Sequence, residues 1–242
     1  MHGDPMMWVA GVRALYLQAL HPRAVRGVMQ NSDFRHDAWG RLMRTANFVG
    51  TTTYGTSEAA EKAGTRVRKI HTMLTAVDPE TGERYRIDEP ELLLWVHCAE
   101  VSSYLNVARR SGMRLSGADA DTFVAEQQRA AAVVGLDPAQ VPGSAAGLEA
   151  HITAMRPRLR VTPEARQAML RSVNVHVPAA QLPLKLAVPS IGALAFASLP
   201  RWARRMYGTP GAVVTDLAAT AALRAFHEGV ARLPGGLLRP AA

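Results

Sequence analysis

Residues 88–108, DEPELLLWVHCAEVSSYLNVA, decide the class of fold. Proline at position 90 costs nothing in the first turn of a helix, where backbone N–H groups lack an intrahelical partner, and Asp88 with Glu91 form a capping-box-like pair ahead of the apolar run. From Leu92 onward that run is apolar on nearly every face, and a helix of this kind is buried among other elements. A long central helix over 89–111 is therefore expected, with the flanking sequence supplying its neighbours.

Helix-start signals recur on both sides. Asp4-Pro5, Thr162-Pro163 and Thr209-Pro210 each set a capping side chain before a proline at the first helical position. With the spacing of apolar residues they place helices near 5–20, 22–30, 37–54, 57–77, 89–111, 117–135, 145–156, 163–174, 184–206 and 210–232. The extended candidate is DPETGERYRID, 78–88, where Thr81-Gly82 can turn a short two-stranded hairpin near 80–88, between a helix ending near Val77 and one starting at Glu89. Breaks at 136–143, 177–183 and 207–211 have ordinary loop lengths, so a single all-α domain over 1–242, of about ten helices, is expected.

The run LPLKLAVPSIGALAFASLP, 182–200, is almost wholly apolar, but Lys185, Pro189 and Gly192 interrupt it. That argues for a buried, kinked core helix over a membrane span. The next stretch, RWARRMYG, can set Trp202 and three arginines at a membrane surface, which leaves peripheral membrane contact open.

Nearly half of the 242 residues are hydrophobic (48%) and 20% are charged, as in ordinary globular proteins, so disordered and fibrous classes are excluded. The single cysteine, Cys98, rules out an internal disulfide and fits a reducing compartment. The N-terminal stretch has neither a basic leader nor a small-residue cleavage site before its apolar run, so a mature, cytoplasmic chain is expected. The net charge of +8 comes mainly from arginines spread along the chain, without a clustered patch or recognisable motif, and no specific nucleic-acid binding is expected.

Eight histidines are present, yet no HExxH, paired CxxC or zinc-type Cys/His spacing occurs, nor any G-x-S-x-G, P-loop or G-x-G-x-x-G. Two histidines fall on apolar helix faces. His71, in EKAGTRVRKIHTMLTAV, shares a stripe with Ala63, Val67, Ile70, Leu74 and Val77; it is either a satisfied core residue or a metal ligand. His97 lies with Leu93, Leu94, Val101 and Tyr104, and Glu100 follows three residues on. Di-iron bundles need several more inward acids than this, so His97 and Glu100 are expected to satisfy each other or nearby backbone.

A third feature is RLMRTANFVG, residues 41–50. Arg41 and Thr45, four apart, are neighbours on one helix face, with Phe48 three residues further. Trp39, Leu42, Met43, Ala46 and Val49 form an opposite stripe suited to a core contact. A face that mixes a cation, a hydroxyl and an aromatic ring suits a partner with an oily body and an acidic edge, such as haem with its propionates. The alternative is an arginine and threonine bonded to loop carbonyls or a carboxylate.

An ordered set of motifs gives these segments a common context: GDP at 3–5, LQALHP at 17–22, NSDFRHDAWGRLMRT at 31–45, RKIH at 68–71, LLLWVHC at 92–98 and LPRWARRMYG at 199–208. In this order they resemble the rubber-oxygenase catalytic domain, a family that includes the MpaB-like oxygenases, and the resemblance runs to about residue 208. It implies an all-α fold with a globin-like pocket around haem b, the iron bound by one histidine. The family's R-x-x-x-T pattern falls on Arg41 and Thr45, and its haem-ligand histidine on His71. Arg44 stands where rubber-degrading members carry a lysine; a guanidinium stays protonated and is a poor iron ligand, so distal lysine ligation has no equivalent here. Their distal glutamate has no evident counterpart either.

The resemblance thus implies a haem-dependent oxygenase for a small apolar or partly apolar substrate, using dioxygen or peroxide. Arg41, Arg44 and Thr45 are the candidate catalytic residues. Arg41, Thr45, Phe48, His71 and His97 are the candidate haem contacts, with His71 on the metal, its other ring nitrogen oriented by an acceptor, and His97 a second-choice ligand. A haem or lipid carrier, or a helical interaction protein, is the alternative.

Overall fold

The computed structural model describes residues 2–32, 37–78, 80–173 and 182–231. Eleven α-helices and a two-stranded sheet stand among them: α1 (Met7–Gln18), α2 (Pro22–Asn31), α3 (Ala38–Tyr54), α4 (Ser57–Met73), β1 (Thr75–Val77), β2 (Arg84–Arg86), α5 (Pro90–Arg110), α6 (Gly117–Val133), α7 (Ala145–Met155), α8 (Pro163–Val173), α9 (Leu182–Ala197), α10 (Arg201–Met206) and α11 (Val213–Ala231). The all-α expectation holds. The break expected at 177–183 lies largely outside the described residues, as do His36 and His176.

The centre is α5, which buries Leu92, Trp95, Cys98, Val101, Leu105 and Val107 around its circumference. Its main neighbour is α1, and α9 packs on α1 in turn. Small residues such as Ala10 on α1 and Ala99 on α5, both fully buried, let the helices approach closely. Directional bonds fix the pairing: Trp95 Nε1 donates to the Gln18 carbonyl at 3.2 Å, and Gln18 Nε2 donates back to the Val96 carbonyl at 3.0 Å. Tyr207 closes the layer, its hydroxyl donating to the Tyr16 carbonyl at 2.8 Å.

Several expected boundaries move, each for a local reason. The helix expected over 57–77 stops at Met73, and 75–77 form β1, paired antiparallel with β2 so that Ala76 faces Tyr85. Two amides at the end of α2 take the place of a further strand: Asn31 Nδ2 donates to the Thr75 carbonyl at 2.8 Å, while Gln30 accepts from Val77 N at 2.9 Å and donates to its carbonyl at 3.2 Å. The hairpin turn uses Gly82 at φ +72°, a conformation that glycine adopts without strain. Asp88 does not cap α5; both its oxygens accept from Arg86, at 2.8 and 2.6 Å.

The helix expected over 184–206 divides at Pro200, because the residue before a proline is pushed out of the helical region. Thr209 does not start the last helix; its hydroxyl donates to the Arg204 carbonyl at 3.0 Å, closing α10, and α11 begins only at Val213. Trp202, one of the residues for which the sequence leaves membrane contact open, is partly buried against the core, with the Arg156 guanidinium 5.2 Å from its ring centre. Among the described residues no helix is long and apolar enough to cross a membrane.

The α3–α4 pair differs from the rest. None of the described residues of α3 is fully buried, and in α4 only Gly64 is. α3 rests mainly on α4, and both touch α6. A Cβ at Gly64 would stand 2.5 Å from both the Val133 carbonyl oxygen and its Cγ1, and Arg68 Nη1 donates to that same carbonyl at 2.7 Å. Only glycine allows this approach, which fixes how α4 sits on α6.

Candidate functional site

The apolar faces of α3 and α4 do not close onto a core. They form one wall of a cavity of about 880 Å³, with α1, α2, α5 and α6 supplying the others. A volume of that size lies within the range of cofactor and ligand pockets, ~300–1,000 Å³. The stripe expected to be buried on α4 is therefore a lining: Val67, Ile70, His71 and Leu74 border the cavity, and Ile70 is 41% exposed. The stripe of Trp39, Leu42, Met43 and Val49 on α3 borders it as well, so it makes a cavity wall and not a core contact.

His71 sits in the last turn of α4, brought to the wall by the helix period that also places Val67 and Leu74 there. Its Nδ1 is buried and has no hydrogen-bond partner. Burial lowers its pKa, the Asp88 charge opposes that, and the Arg41 charge adds to it. The orienting acceptor expected for this ring is thus absent among the described residues, since Asp88, the nearby carboxylate, is held by Arg86.

Arg41 faces the same cavity from α3, and among the described residues its guanidinium makes no hydrogen bond or ion pair. Burial, and then the charge of Arg44, lowers its pKa. An uncommitted cation beside a histidine with an orphaned nitrogen fits a ligand that carries negative charge at its edge.

The other expected site residues divide. Phe48 is half-buried on the wall. Thr45 also borders the cavity, but it is exposed and its hydroxyl donates to the Arg41 carbonyl at 3.1 Å, a bond within its own helix. Arg44 reaches the rim while its Nη1 pairs with Asp37 Oδ2 at 3.2 Å, on an exposed flank.

His97 and Glu100 both border the cavity from α5, and no hydrogen bond joins them. Burial pushes the imidazole down to about 4 and the carboxyl up to about 7, so near neutral pH the imidazole is uncharged and the carboxyl is divided between its two forms. The expectation that the two satisfy each other or nearby backbone is corrected: among the described residues neither side chain has a hydrogen-bond partner, and each borders the cavity. Spacing alone cannot distinguish a side chain aimed at a partner helix from one aimed at a cavity wall. Among the described residues no group of three or more His, Cys, Asp or Glu is placed to hold a metal ion. A metal held by a single protein ligand does not depend on such a group.

Comparison with protein families places the chain. The family described as ER-bound oxygenase mpaB/B'/Rubber oxygenase, catalytic domain, matches residues 1–232. The chain belongs to this family. Its match spans the cavity-forming helices and the core that holds them, so the oxygenase catalytic domain is the unit described here. Comparisons with curated proteins and with solved structures return no match.

The histidines set a pH dependence. His2, His21 and His97 are each lowered by burial from the usual 6.5 to about 4, and His71 and His151 move in the same direction. Unfolded, these rings take up protons near 6.5; folded, they resist. Their contribution to stability is fully present above that value and is lost as pH falls toward 4. Glu100, raised to about 7, works the other way between neutral pH and the usual carboxylate range, but it is one group against several. The urea midpoint is expected to fall steadily between pH 7 and pH 5; an unchanged or rising midpoint would contradict these shifts.

Proposed function

We propose that this chain is a haem b-dependent oxygenase acting on an apolar or partly apolar substrate, with His71 as the single protein ligand of the iron. The observation that carries the proposal is His71 itself, a ring on the wall of a large apolar cavity with a buried nitrogen that no group among the described residues satisfies. Arg41 supports it, because its uncommitted guanidinium can pair with a propionate in the bidentate manner suited to carboxylates. The residues present therefore fit the group that the family resemblance implies.

Haem supplies the activation of dioxygen or peroxide when bound, and the protein's part is binding, orientation and exclusion of water. His71 is kept neutral by burial and so retains a lone pair for a metal. Phe48, Leu42, Met43 and Val67 line the cavity and exclude water from an apolar substrate. Arg13, Arg110 and Arg204 are spent inside the fold on backbone carbonyls and add nothing to the basic surface.

The same apolar cavity supports the second reading, a haem or lipid carrier without turnover. Haemin titration followed in the visible spectrum tests the binding. Consumption of dioxygen or peroxide by the haem-loaded protein separates oxygenase from carrier.

A further inference from the structure

Glu100 is the group in the cavity that haem binding through His71 and Arg41 does not use. It stands on α5 between Ala99 and Val101, with His97 one turn before and Tyr104 one turn after, and it borders the cavity. Among the described residues it makes no hydrogen bond or ion pair. Burial raises its pKa, and no arginine or lysine among the described residues offsets its charge. His97, one turn earlier, also has no hydrogen-bond partner among the described residues.

A carboxyl raised to about 7 is divided between its two forms near neutral pH, and the protonated form has one O–H to donate and a carbonyl oxygen to accept. Left unpaired against apolar walls it is costly, and a ligand that supplies the missing bonds recovers that cost. A pure hydrocarbon does not. Sites that hold a polar group for a substrate discriminate strongly against analogues lacking the matching group, because the protein's own polar group is then left unsatisfied.

We propose that Glu100 anchors the substrate, and that the substrate is apolar along most of its length and carries an uncharged hydroxyl or carbonyl that hydrogen-bonds to the Glu100 carboxyl. This deepens the oxygenase reading by naming the substrate class and rests on it for the reaction, though not for the binding.

The test uses 1-octanol, n-octane and octylammonium as probes, with emission from Trp8 and Trp39, which border the cavity, as the readout. Binding is measured on the haem-free full chain and again after haemin is added, for wild type, Glu100→Leu and Glu100→Gln, with circular dichroism to confirm folding. Octanol is expected to bind the Leu variant roughly tenfold more weakly, the worth of one hydrogen bond. The Gln variant, which keeps a donor and an acceptor, is expected to retain most of the affinity, and n-octane should not lose affinity in either variant. The proposal is overturned if octanol binds the Leu variant as well as wild type, if n-octane weakens as much as octanol, if neither probe binds, or if octylammonium binds more tightly than octanol. Failure of the haem reading would show separately, as no haem spectrum, and would leave the haem-free measurement intact.

Discussion

Replacing Arg204 with methionine is expected to cost about 3 kcal/mol of stability, because it opens a buried ionic network at the C-terminal end of α9. Arg204 is 1% exposed. Its Nη1 donates to the Ala197 carbonyl at 2.6 Å and its Nη2 to Asp216 Oδ1 at 2.6 Å. The next carbonyl, of Ser198, accepts from Arg13 Nε at 3.2 Å and from Arg110 Nη1 at 3.0 Å. Three guanidinium groups therefore meet the end of a helix where carbonyls lack partners and the helix dipole is negative. Burial, and after it the Arg110 charge, pushes Arg13 down to about 9, so it remains charged at neutral pH.

Methionine fills the aliphatic volume of Arg204 but leaves the Ala197 carbonyl unpaired and Asp216 with the more distant Arg201, at 3.9 Å. It also removes an Arg204 Nε that is buried without a partner, which keeps the loss at the low end of the ~3–5 kcal/mol typical of a broken buried pair. For a chain of this size that corresponds to a fall in Tm of roughly 6–12 °C. A thermal melt showing a loss under about 0.5 kcal/mol, the usual surface value, would mean that the network contributes little.

Haemin is expected to slow amide exchange across 38–73 by about a hundredfold when present at roughly one hundred times its Kd, which corresponds to about 2.7 kcal/mol of added stability. The α3–α4 pair presents its apolar faces to the cavity, keeps only Gly64 fully buried, and leaves Met73 65% exposed. Little internal packing opposes its opening. Local openings of low free energy belong to elements with few buried apolar contacts. Without haemin, amides in 38–73 should exchange well ahead of those in α1 and α5. Equal protection in both regions, or no slowing by haemin, would contradict a cavity whose contents hold the pair in place.

How much of this was legible in the sequence depended on whether a signal was local. The span of α5 was evident from Pro90 and the apolar run, since helix entry and full burial are written in neighbouring residues. The strand at 75–77 was not, because it pairs with β2 on one edge and on the other with the side chains of Gln30 and Asn31, more than forty positions earlier, and together these override a helical stripe. That stripe also misled on burial: periodicity shows that Val67, Ile70 and Leu74 share a face, but it cannot show whether a helix or a cavity lies opposite. His71 and Arg41 stood out by their helix faces and then by motif order, and the structure adds what no motif carries, namely an Nδ1 and a guanidinium without partners among the described residues. Glu100 was visible only as a neighbour of His97. Its lack of a partner is a property of the assembled walls.

The central claim is that His71 binds the iron of a haem held in this cavity, and the most direct test is the visible spectrum of the purified chain after haemin is added and again after reduction. Wild type is expected to show a histidine-ligated haem spectrum, His97→Ala to keep it, and His71→Ala to lose it and regain it with added imidazole. Wild-type protein that takes up no haem, or a His71→Ala variant with the same axial-ligand spectrum as wild type, would contradict the claim.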